Sequence, residues 1–200
     1  MNFDMSALEP QEKYRLLTGG VTPRPIAWIS TRSKSGVDNL APYSFFTVAS
    51  CNPPVLLYTQ VTQRNGIDKD TLKNLTDTGE CVVNIVNASL LEKMNITSSS
   101  IDIDESEFDL AKIRQSASDK VKPLSVKESP VRYECNLREL ITFGELPTSG
   151  TVVLLDVKSV YVRDDLYTDG RIDQTLIDTV GKMGGDAYLA NTGYLELNRP

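Results

Sequence analysis

Three residues in succession carry side chains suited to an anion. Ser30, Thr31 and Arg32 follow directly after the apolar residues 26–29. Hydroxyl and guanidinium groups donate hydrogen bonds to phosphate oxygens, so the end of this predicted strand is a candidate phosphate contact. A strand that emerges into solvent would have the same composition, and the residues alone leave both interpretations open.

A second group of candidate phosphate ligands lies at the start of a predicted helix. Asp70 can cap the helix N-terminus, and Gly79 suits the left-handed position after its end. A helix N-terminus carries unpaired amides and about half a positive charge, to which Lys69 and Thr71 would add donors. An ordinary capped helix is the alternative. Because the net charge is −6, a bound phosphate also needs local positive groups. The candidates are Arg24, Arg32, Lys34 and Lys69.

The stretch 39–54, NLAPYSFFTVASCNPP, combines two phenylalanines with a proline and several small or hydroxylic residues. Small residues allow a planar aromatic ligand to approach the backbone closely. Pro42 interrupts sheet pairing, which frees neighbouring backbone groups to bind the edge of such a ligand. The hydroxyls of Ser44 and Ser50 suit a polyol or a phosphate. A barrel strand buried on both faces is the alternative interpretation.

The sequence contains no histidine. This excludes Ser-His and Cys-His nucleophile pairs, imidazole acid–base chemistry and nearly all catalytic zinc or iron sites. If the protein is an enzyme, we therefore expect a bound cofactor to carry the chemistry. The three cysteines, Cys51, Cys81 and Cys135, form no CxxC pair, which is typical of a reduced, cytoplasmic protein.

Composition narrows the expected partners. The chain is acidic, with a pI of about 4.8, and it has no basic tract, so we expect neither a nucleic-acid nor a membrane partner. It also lacks the roughly 20 consecutive apolar residues of a membrane span. The first 17 residues carry acids and no apolar run, unlike a signal peptide. Residues 1–200 are predicted to form one domain.

The pattern of the chain predicts a mainly β protein with short helices. Helices are expected after Pro10, Asp70, Ser89 and Ser106. Strands are expected at 26–32, 40–50, 55–61, 81–86, 131–146 and 150–164, with a hairpin between the first two and a bulge near Lys158. Long strands joined by turns favour an antiparallel barrel.

Two segments receive no predicted site. Residues 95–125 contain a run of acids followed by basic residues, and we interpret them as a surface excursion whose charges face solvent. The glycine-rich string at 181–188, GKMGGDAY, matches neither GxGxxG nor a P-loop. It is predicted to be a turn before a short helix.

Several motifs in order resemble one known family. They are PRPIAWISTR, NLAPYSFFTVASCNPP, KDTLKNLTDTGECVVNIV, EFDLAKI, SPVRYECNL and DGRIDQTLIDTVGKMGGDAY. Together they cover roughly residues 20–190 and resemble the flavin reductase-like, FMN-binding split-barrel proteins. The resemblance implies a Greek-key split β-barrel and a homodimer that binds FMN at the subunit interface. Members of that family include NAD(P)H-dependent flavin reductases and flavoredoxin-like electron carriers.

The resemblance also implies the cofactor contacts. Those of the first strand are Ser30, Thr31 and Arg32. Those along the flavin ring are Asn39, Leu40, Ala41, Pro42, Tyr43 and Ser44, followed in the next loop by Ala49, Ser50, Cys51 and Asn52. Those near the phosphate are Lys69, Asp70 and Thr71. The chain departs from the family pattern at Cys51, at 152–156, which lacks a Gly-Glu pair, and at Lys182, where arginine is usual.

We therefore predict an FMN-binding oxidoreductase that transfers hydride from NADH or NADPH to flavin N5. That step depends on stacking geometry and needs no protein acid or base, which agrees with the missing histidine. Two alternatives stay open: an FMN electron carrier without a nicotinamide site, and a haem-binding relative, although the chain lacks the usual axial histidine. The sequence leaves open whether a flavin-dependent oxygenase, a redox protein or another substrate receives the electrons.

Overall fold

The computed structural model describes residues 1–62, 70–190, 193 and 195–197. The α-helices are α1 (Pro10–Gly20), α2 (Asp70–Thr78), α3 (Leu91–Ile96) and α4 (Glu107–Leu110). The strands are β1 (Arg24–Pro25), β2 (Ala27–Arg32), β3 (Asp38–Tyr43), β4 (Phe46–Cys51), β5 (Pro54–Val61), β6 (Glu80–Ile85), β7 (Gln115–Ser116), β8 (Ser125–Val126), β9 (Val131–Thr142), β10 (Gly150–Val162), β11 (Tyr167–Thr168), β12 (Arg171–Ile172), β13 (Gly181–Lys182) and β14 (Tyr188–Leu189). Short 3₁₀ helices occur at Met5–Ala7, Ala88–Leu90 and Asp164–Leu166.

Local sequence signals set the ends of the first two α-helices. Pro10 occupies the first position of α1, and a reciprocal capping box joins Glu9 and Glu12. Gly79 follows α2 with a φ of +74°, and its amide donates to the Leu75 carbonyl at 2.8 Å. A left-handed residue of this kind is the usual way to end a helix, so both predicted boundaries are confirmed.

Seven strands form one antiparallel sheet in the order β3-β2-β6-β9-β10-β5-β4. The outermost strands, β3 and β4, are consecutive in the chain and are separated only by Ser44 and Phe45. The sheet must therefore curl until its two edges approach each other, and the rings of Tyr43 in β3 and Tyr58 in β5 lie 4.8 Å apart where it closes. The predicted split β-barrel is confirmed.

The predicted single strand over 40–50 is instead two strands. β3 pairs with β2, whereas β4 pairs with β5 at the other edge of the sheet. The chain has to turn between them because its pairing partner changes. The predicted bulge near Lys158 is confirmed, since the β9–β10 register shifts between Val157 and Ser159, and a second shift occurs at Leu154/Leu155.

Two apolar clusters cover the two faces of β2 and β3. Inside the barrel, Ile29 and Tyr58 pack with Leu75 of α2. On the outside, Trp28 packs with Phe108, and other members of that cluster come from the segment that the sequence indicated as an exposed excursion. Its charges do face solvent in part, but its apolar residues form a layer against the barrel.

The glycine-rich segment 181–188 is a β-hairpin, so the predicted short helix there is wrong. β13 pairs with β14, and Lys182 also lies opposite Arg24 of β1. The Lys182 ammonium donates to the carbonyls of Gly185 and Ala187, and Gly185 has a φ of +58°. These contacts close a tight turn, which the sequence pattern of glycines alone does not distinguish from a helix start.

Candidate functional site

The hydroxyls of Ser30 and Thr31 are buried and bonded within the protein. Ser30 Oγ lies 3.5 Å from the Val82 carbonyl and 3.4 Å from Asn84 Nδ2. Thr31 Oγ1 donates to Asn39 Oδ1 at 3.3 Å. Both residues are fully buried, so neither reaches the surface of the chain in this structure.

Asn39 joins four elements through its side-chain amide. Its Oδ1 accepts from Thr31 of β2 and, at 2.8 Å, from the hydroxyl of Thr71 in the first turn of α2. Its Nδ2 donates to both carboxylate oxygens of Glu107 at 3.0 Å. Asn74 of α2 completes the network with a 3.3 Å bond to Thr31 Oγ1. The network fixes the start of α2 against β2 and β3, and α4 against β3.

Glu107 is a buried carboxylate that the sequence analysis missed. It belongs to the charge run assigned to solvent, yet its relative exposure is only 5%. Besides the Asn39 amide, it accepts from the backbone N–H of Leu40 at 2.9 Å. Burial raises the pKa of Glu107, and the nearby charge of Asp70 adds to that effect. The available signal was Phe108, whose burial pulls the neighbouring residue inward.

The positively charged candidates have different surroundings. Arg32 is partly exposed, donates to the Gly36 carbonyl at 3.2 Å and lies 3.9 Å from Asp38. Lys34 pairs with Asp77 of α2 at 2.9 Å. Lys69 lies outside the described residues. Lys34 therefore contacts α2, and Arg32 contacts the β2–β3 turn.

The corner between β3 and β4, at residues 42–44, is held by Arg24. This buried guanidinium donates to the carbonyls of Thr18 at 2.5 Å, Val21 at 2.7 Å and Met183 at 3.2 Å. Its Nε lies 3.4 Å from the hydroxyl of Ser44. The carbonyls of Thr18 and Val21 lie at the end of α1, where the helix dipole favours a cation. Arg24 thereby joins α1, the 181–188 hairpin and the corner.

A pocket of about 370 Å³ opens beside this corner. It brings three of the predicted flavin contacts, Pro42, Tyr43 and Ser44, together with Lys182. The remaining lining residues are Ile26, Met94, Asn95, Ser98, Gly185, Asp186 and Tyr188. The Lys182 ammonium lies 4.3 Å from the centre of the Tyr188 ring, and burial lowers the pKa of Lys182, with Arg24 contributing in the same direction. The pocket thus has a mixed polar and apolar lining that includes a cation, Lys182, and an acid, Asp186.

The next predicted contacts lie on the outer surface. Ala49, Cys51 and Asn52 are exposed, and Ser50 is half-buried. They continue along β4, the edge strand of the sheet, so their backbone groups on the side away from β5 face outward. Leu40 and Ala41 are buried in β3 and offer a ligand only their backbone.

The chemistry of these donors suits FMN. A flavin ring requires an apolar surface with polar backbone groups at its edge, which the 42–44 corner and β4 provide. A phosphate requires amide donors, and the first turn of a nine-residue helix, α2, has amides without partners inside the helix. Asp70 is partly exposed there, whereas Thr71 is fully buried. Within the described residues no cluster of three or more acidic, cysteine or histidine side chains suits a metal ion.

The outer face of the barrel carries an apolar strip. The register places Ile141, Val152 and Thr59 in one row across β9, β10 and β5. It places Glu139, Leu154 and Leu57 in the next, so an exposed acid borders the strip. Their neighbours Leu140, Val153 and Tyr58 point into the barrel, so this row points away from it. Ile141 is 42% exposed, and the other apolar residues of the strip are partly exposed. In the part of the chain that the structure describes, no helix is long and apolar enough to cross a membrane.

Comparison with known proteins identifies the family of the chain. The sequence model of a family described as "Flavin reductase like domain" matches residues 19–179. An uncharacterized protein of Halalkalibacterium halodurans is 35% identical over 202 residues, which cover 100% of this chain and 97% of that protein.

Two solved structures are similar over nearly the whole chain. One is nitrilotriacetate monooxygenase component B from Bacillus cereus, with a TM-score of 0.93, 32% identity and 98% coverage of both chains. The other is the 2-nitrobenzoate 2-nitroreductase of Pseudomonas fluorescens, with a TM-score of 0.90 and 29% identity. That likeness covers 100% of this chain and 96% of the other.

Proposed function

The chain belongs to the flavin reductase-like family, and on that basis we propose that it is an FMN-binding oxidoreductase that uses NADH or NADPH as its electron donor. The observation that carries this proposal is the 42–44 corner, where Pro42, Tyr43 and Ser44 line a pocket that also contains the cation Lys182. When bound there, FMN would supply hydride-accepting chemistry, so the protein needs to provide binding and orientation only.

We assign different parts of FMN to different segments of this chain. The 42–44 corner and the backbone of 49–52 would lie along the flavin ring and its edge. The first turn of α2, beginning at Asp70, would bind the phosphate through its amides, with Thr71 holding that turn against β3 and Arg32 as a positive group. The ordering of the corner by Arg24 supports the proposal, because a ligand surface that is already fixed loses less entropy on binding.

The pocket beside the corner is the proposed entry for the nicotinamide. Its volume of about 370 Å³ lies near the lower end of ligand pockets, which run from roughly 300 to 1,000 Å³. A pocket of this size suits the nicotinamide end of the dinucleotide, with the rest of the molecule lying on the surface. Lys182 would then attract the anionic part of the donor.

We further propose that the protein is a homodimer. The apolar strip on the outer face of β9, β10 and β5 would pack against a second copy, which would cover the exposed strand β4 as well. The partial exposure of Leu57, Val152 and Leu154 supports this arrangement, since contiguous apolar surface on a soluble protein marks an interaction site.

For the electron recipient we favour a flavin-dependent oxygenase. The similar Bacillus cereus protein is named as component B of a monooxygenase. The nitroreductase name of the other similar structure supports direct reduction of a substrate as the second candidate. Supplying each type of acceptor to the reduced protein distinguishes the two.

The proposed function is tested by titrating the purified protein with FMN and with riboflavin and following flavin fluorescence. NADH or NADPH is then added without oxygen. We expect tighter binding of FMN than of riboflavin, and loss of the visible flavin absorption with at least one nicotinamide. Equal affinities would refute the phosphate assignment. Reduction by dithionite but by neither nicotinamide would instead identify an electron carrier.

A further inference from the structure

We infer that Glu107 is a positioning residue for the flavin site, and that it acts by fixing the orientation of the Asn39 side-chain amide and, through it, the first turn of α2. The ligand-binding consequence rests on the proposed function. The positioning of α2 by Glu107 can be tested separately, without any ligand.

The start of α4 is attached to the start of β3 by two successive residues. The hydroxyl of Ser106 donates to the Asp38 carbonyl at 2.6 Å. The carboxylate of Glu107 then accepts from Asn39 Nδ2 with both oxygens at 3.0 Å and from the Leu40 amide at 2.9 Å. A segment that lies outside the barrel thereby holds the strand that leads into the proposed ring-binding corner.

The chemical identity of Glu107 determines which way Asn39 faces. An ionised carboxylate only accepts hydrogen bonds, so the amide NH₂ of Asn39 must face it. The amide oxygen of Asn39 then faces the opposite way, where the hydroxyls of Thr31 and Thr71 donate to it at 3.3 Å and 2.8 Å. Every polar atom of the Asn39 side chain is occupied.

The orientation of the Asn39 amide affects α2 because Thr71, which donates to that amide, lies in the first turn of the helix. Thr71 is fully buried, and its hydroxyl bond to Asn39 joins the helix start to β3. The proposed ring-binding segment, 39–44, and the proposed phosphate-binding helix start are therefore held at a fixed separation by one chain of hydrogen bonds that begins at Glu107. FMN would contact both the ring-binding segment and the helix start, whereas a ligand without the phosphate would contact the ring-binding segment only. The affinity for FMN should therefore depend more strongly on that separation.

Burial of a carboxylate is costly unless its partners satisfy it. Glu107 accepts from the Asn39 amide and the Leu40 N–H, and it has no basic partner among the ion pairs of the described residues. A glutamine at this position would fill the same volume without the charge. Glutamine has one side-chain oxygen, so it cannot accept hydrogen bonds on two oxygens as glutamate does. Acceptance on both oxygens is the property that sets the orientation of the Asn39 amide.

The experiment is a double-mutant cycle on positions 39 and 107. Glu107→Gln places an amide donor against the Asn39 donor, and Asn39→Asp places a carboxylate against the Glu107 carboxylate. The double variant restores a matched pair, because the introduced glutamine can donate through its NH₂ to the introduced aspartate while its oxygen still accepts from Leu40. Glu105→Gln is the control, since Glu105 is an exposed acid in the same segment.

Two readouts are measured for each variant. The first is the ratio of riboflavin to FMN dissociation constants, which we expect to fall about tenfold in each single variant and to return to within about threefold of wild type in the double variant. The second is hydrogen exchange, without flavin, of the α2 amides at 74–78, which are hydrogen-bonded within the helix. It should accelerate about tenfold in the single variants and slow again in the double variant, while exchange in β9 and β10 stays unchanged.

The possible results separate the two claims. If the wild type binds neither flavin, the proposed function fails, and the exchange measurement alone decides the role of Glu107. If exchange in α2 is unchanged by Glu107→Gln, or if the double variant is no better than the singles, the positioning role is refuted. An unchanged flavin ratio with an altered exchange rate would refute the link between Glu107 and ligand binding.

Discussion

The rings of Tyr43 and Tyr58 lie 4.8 Å apart with their planes tilted by 47°, and this contact joins β3 to β5 inside the barrel seam. The two phenols differ in their hydrogen bonding. The hydroxyl of Tyr43 donates to Gln60 Oε1 at 3.1 Å. The hydroxyl of Tyr58 is buried and has no hydrogen-bond partner in the described part of the chain.

This difference predicts opposite outcomes for two matched variants. Tyr43→Phe should lower the free energy of unfolding by about 1–3 kcal/mol, because the buried Gln60 carbonyl loses its donor. Tyr58→Phe should change it by less than about 0.5 kcal/mol or stabilise the protein, because it removes a polar group that is already unsatisfied. Urea unfolding measures both, and equal losses for the two variants would contradict the prediction.

Cys51 is predicted to be dispensable for flavin reduction. It is exposed at the end of β4, and the chain has no histidine to activate its thiol. Cys51→Ala should keep the rate of flavin reduction by the nicotinamide within about tenfold of wild type, or ~1.4 kcal/mol in transition-state free energy. A loss of several orders of magnitude with FMN still bound would show that the thiol takes part in the chemistry.

Assembly is predicted to depend on the outer face of the sheet. The wild type should scatter light as a species of twice 22.1 kDa, with an interface of about 2,000 Å² or more, as in obligate dimers. Ile141→Asp should shift it towards the monomer and weaken FMN binding. Ile103→Asp is the control, because Ile103 is 51% exposed in the excursion, away from this face. A wild-type monomer that binds FMN tightly would rule out the shared site.

Arg32 is predicted to favour FMN over riboflavin. Its guanidinium is partly exposed and engages the Gly36 carbonyl through Nε, which leaves the other nitrogens for an anion. Arg32→Ala should weaken FMN binding about tenfold and leave riboflavin binding unchanged. Lys34→Ala, which removes a cation already paired with Asp77, should have little effect. If both flavins lose affinity equally, Arg32 does not contact the phosphate.

The titration of Glu107 should make the free energy of unfolding depend on pH. Burial raises its pKa above the ordinary value of 4.5, the charge of Asp70 raises it further, and the Leu40 and Asn39 donors lower it. The folded protein then holds this proton more tightly than the unfolded chain does. The stability tied to Glu107 is therefore complete below pH 4.5 and declines as the pH rises through the raised pKa.

Comparison of the wild type with Glu107→Gln isolates that contribution. The difference in unfolding free energy, wild type minus variant, should shrink from about pH 4 to about pH 7. Asp38, whose pKa burial also raises, is present in both proteins and cancels. Glu105→Gln should show no such trend. A difference that grows with pH would mean that the folded state favours the ionised form of Glu107.

The strands and the barrel were predictable because their signals are local. Alternating apolar residues set β9 and β10, and Gly79 marks the end of α2. The break at residues 44 and 45 was not predictable from periodicity, because residues 43–46, YSFF, contain no glycine, proline or charged residue that would mark a turn. Only the exchange of pairing partners, which depends on closure of the sheet, separates them.

The candidate site was predictable in part for a related reason. Residue types identified the 42–44 corner and the start of α2, but no pattern shows that the hydroxyls of Thr31 and Thr71 point towards Asn39. Glu107 lies among exposed acids in the sequence, and its buried carboxylate is satisfied by Asn39 and Leu40, which lie far away in the sequence. Apart from the adjacent Phe108, no sequence pattern indicates such partners.

The long separation between β6 and β9 has a kinetic consequence. These strands are hydrogen-bonded neighbours, although all of residues 86–130 lie between them. Closing so long a loop costs more chain entropy than forming the β9–β10 hairpin or the β4–β5 pair, and such distant contacts slow folding. Phe108 of the excursion and Trp28 of β2 belong to one buried cluster. If that cluster forms before β6 and β9 pair, it shortens the loop that remains to be closed, and Phe108→Ala should then slow refolding as well as lower stability.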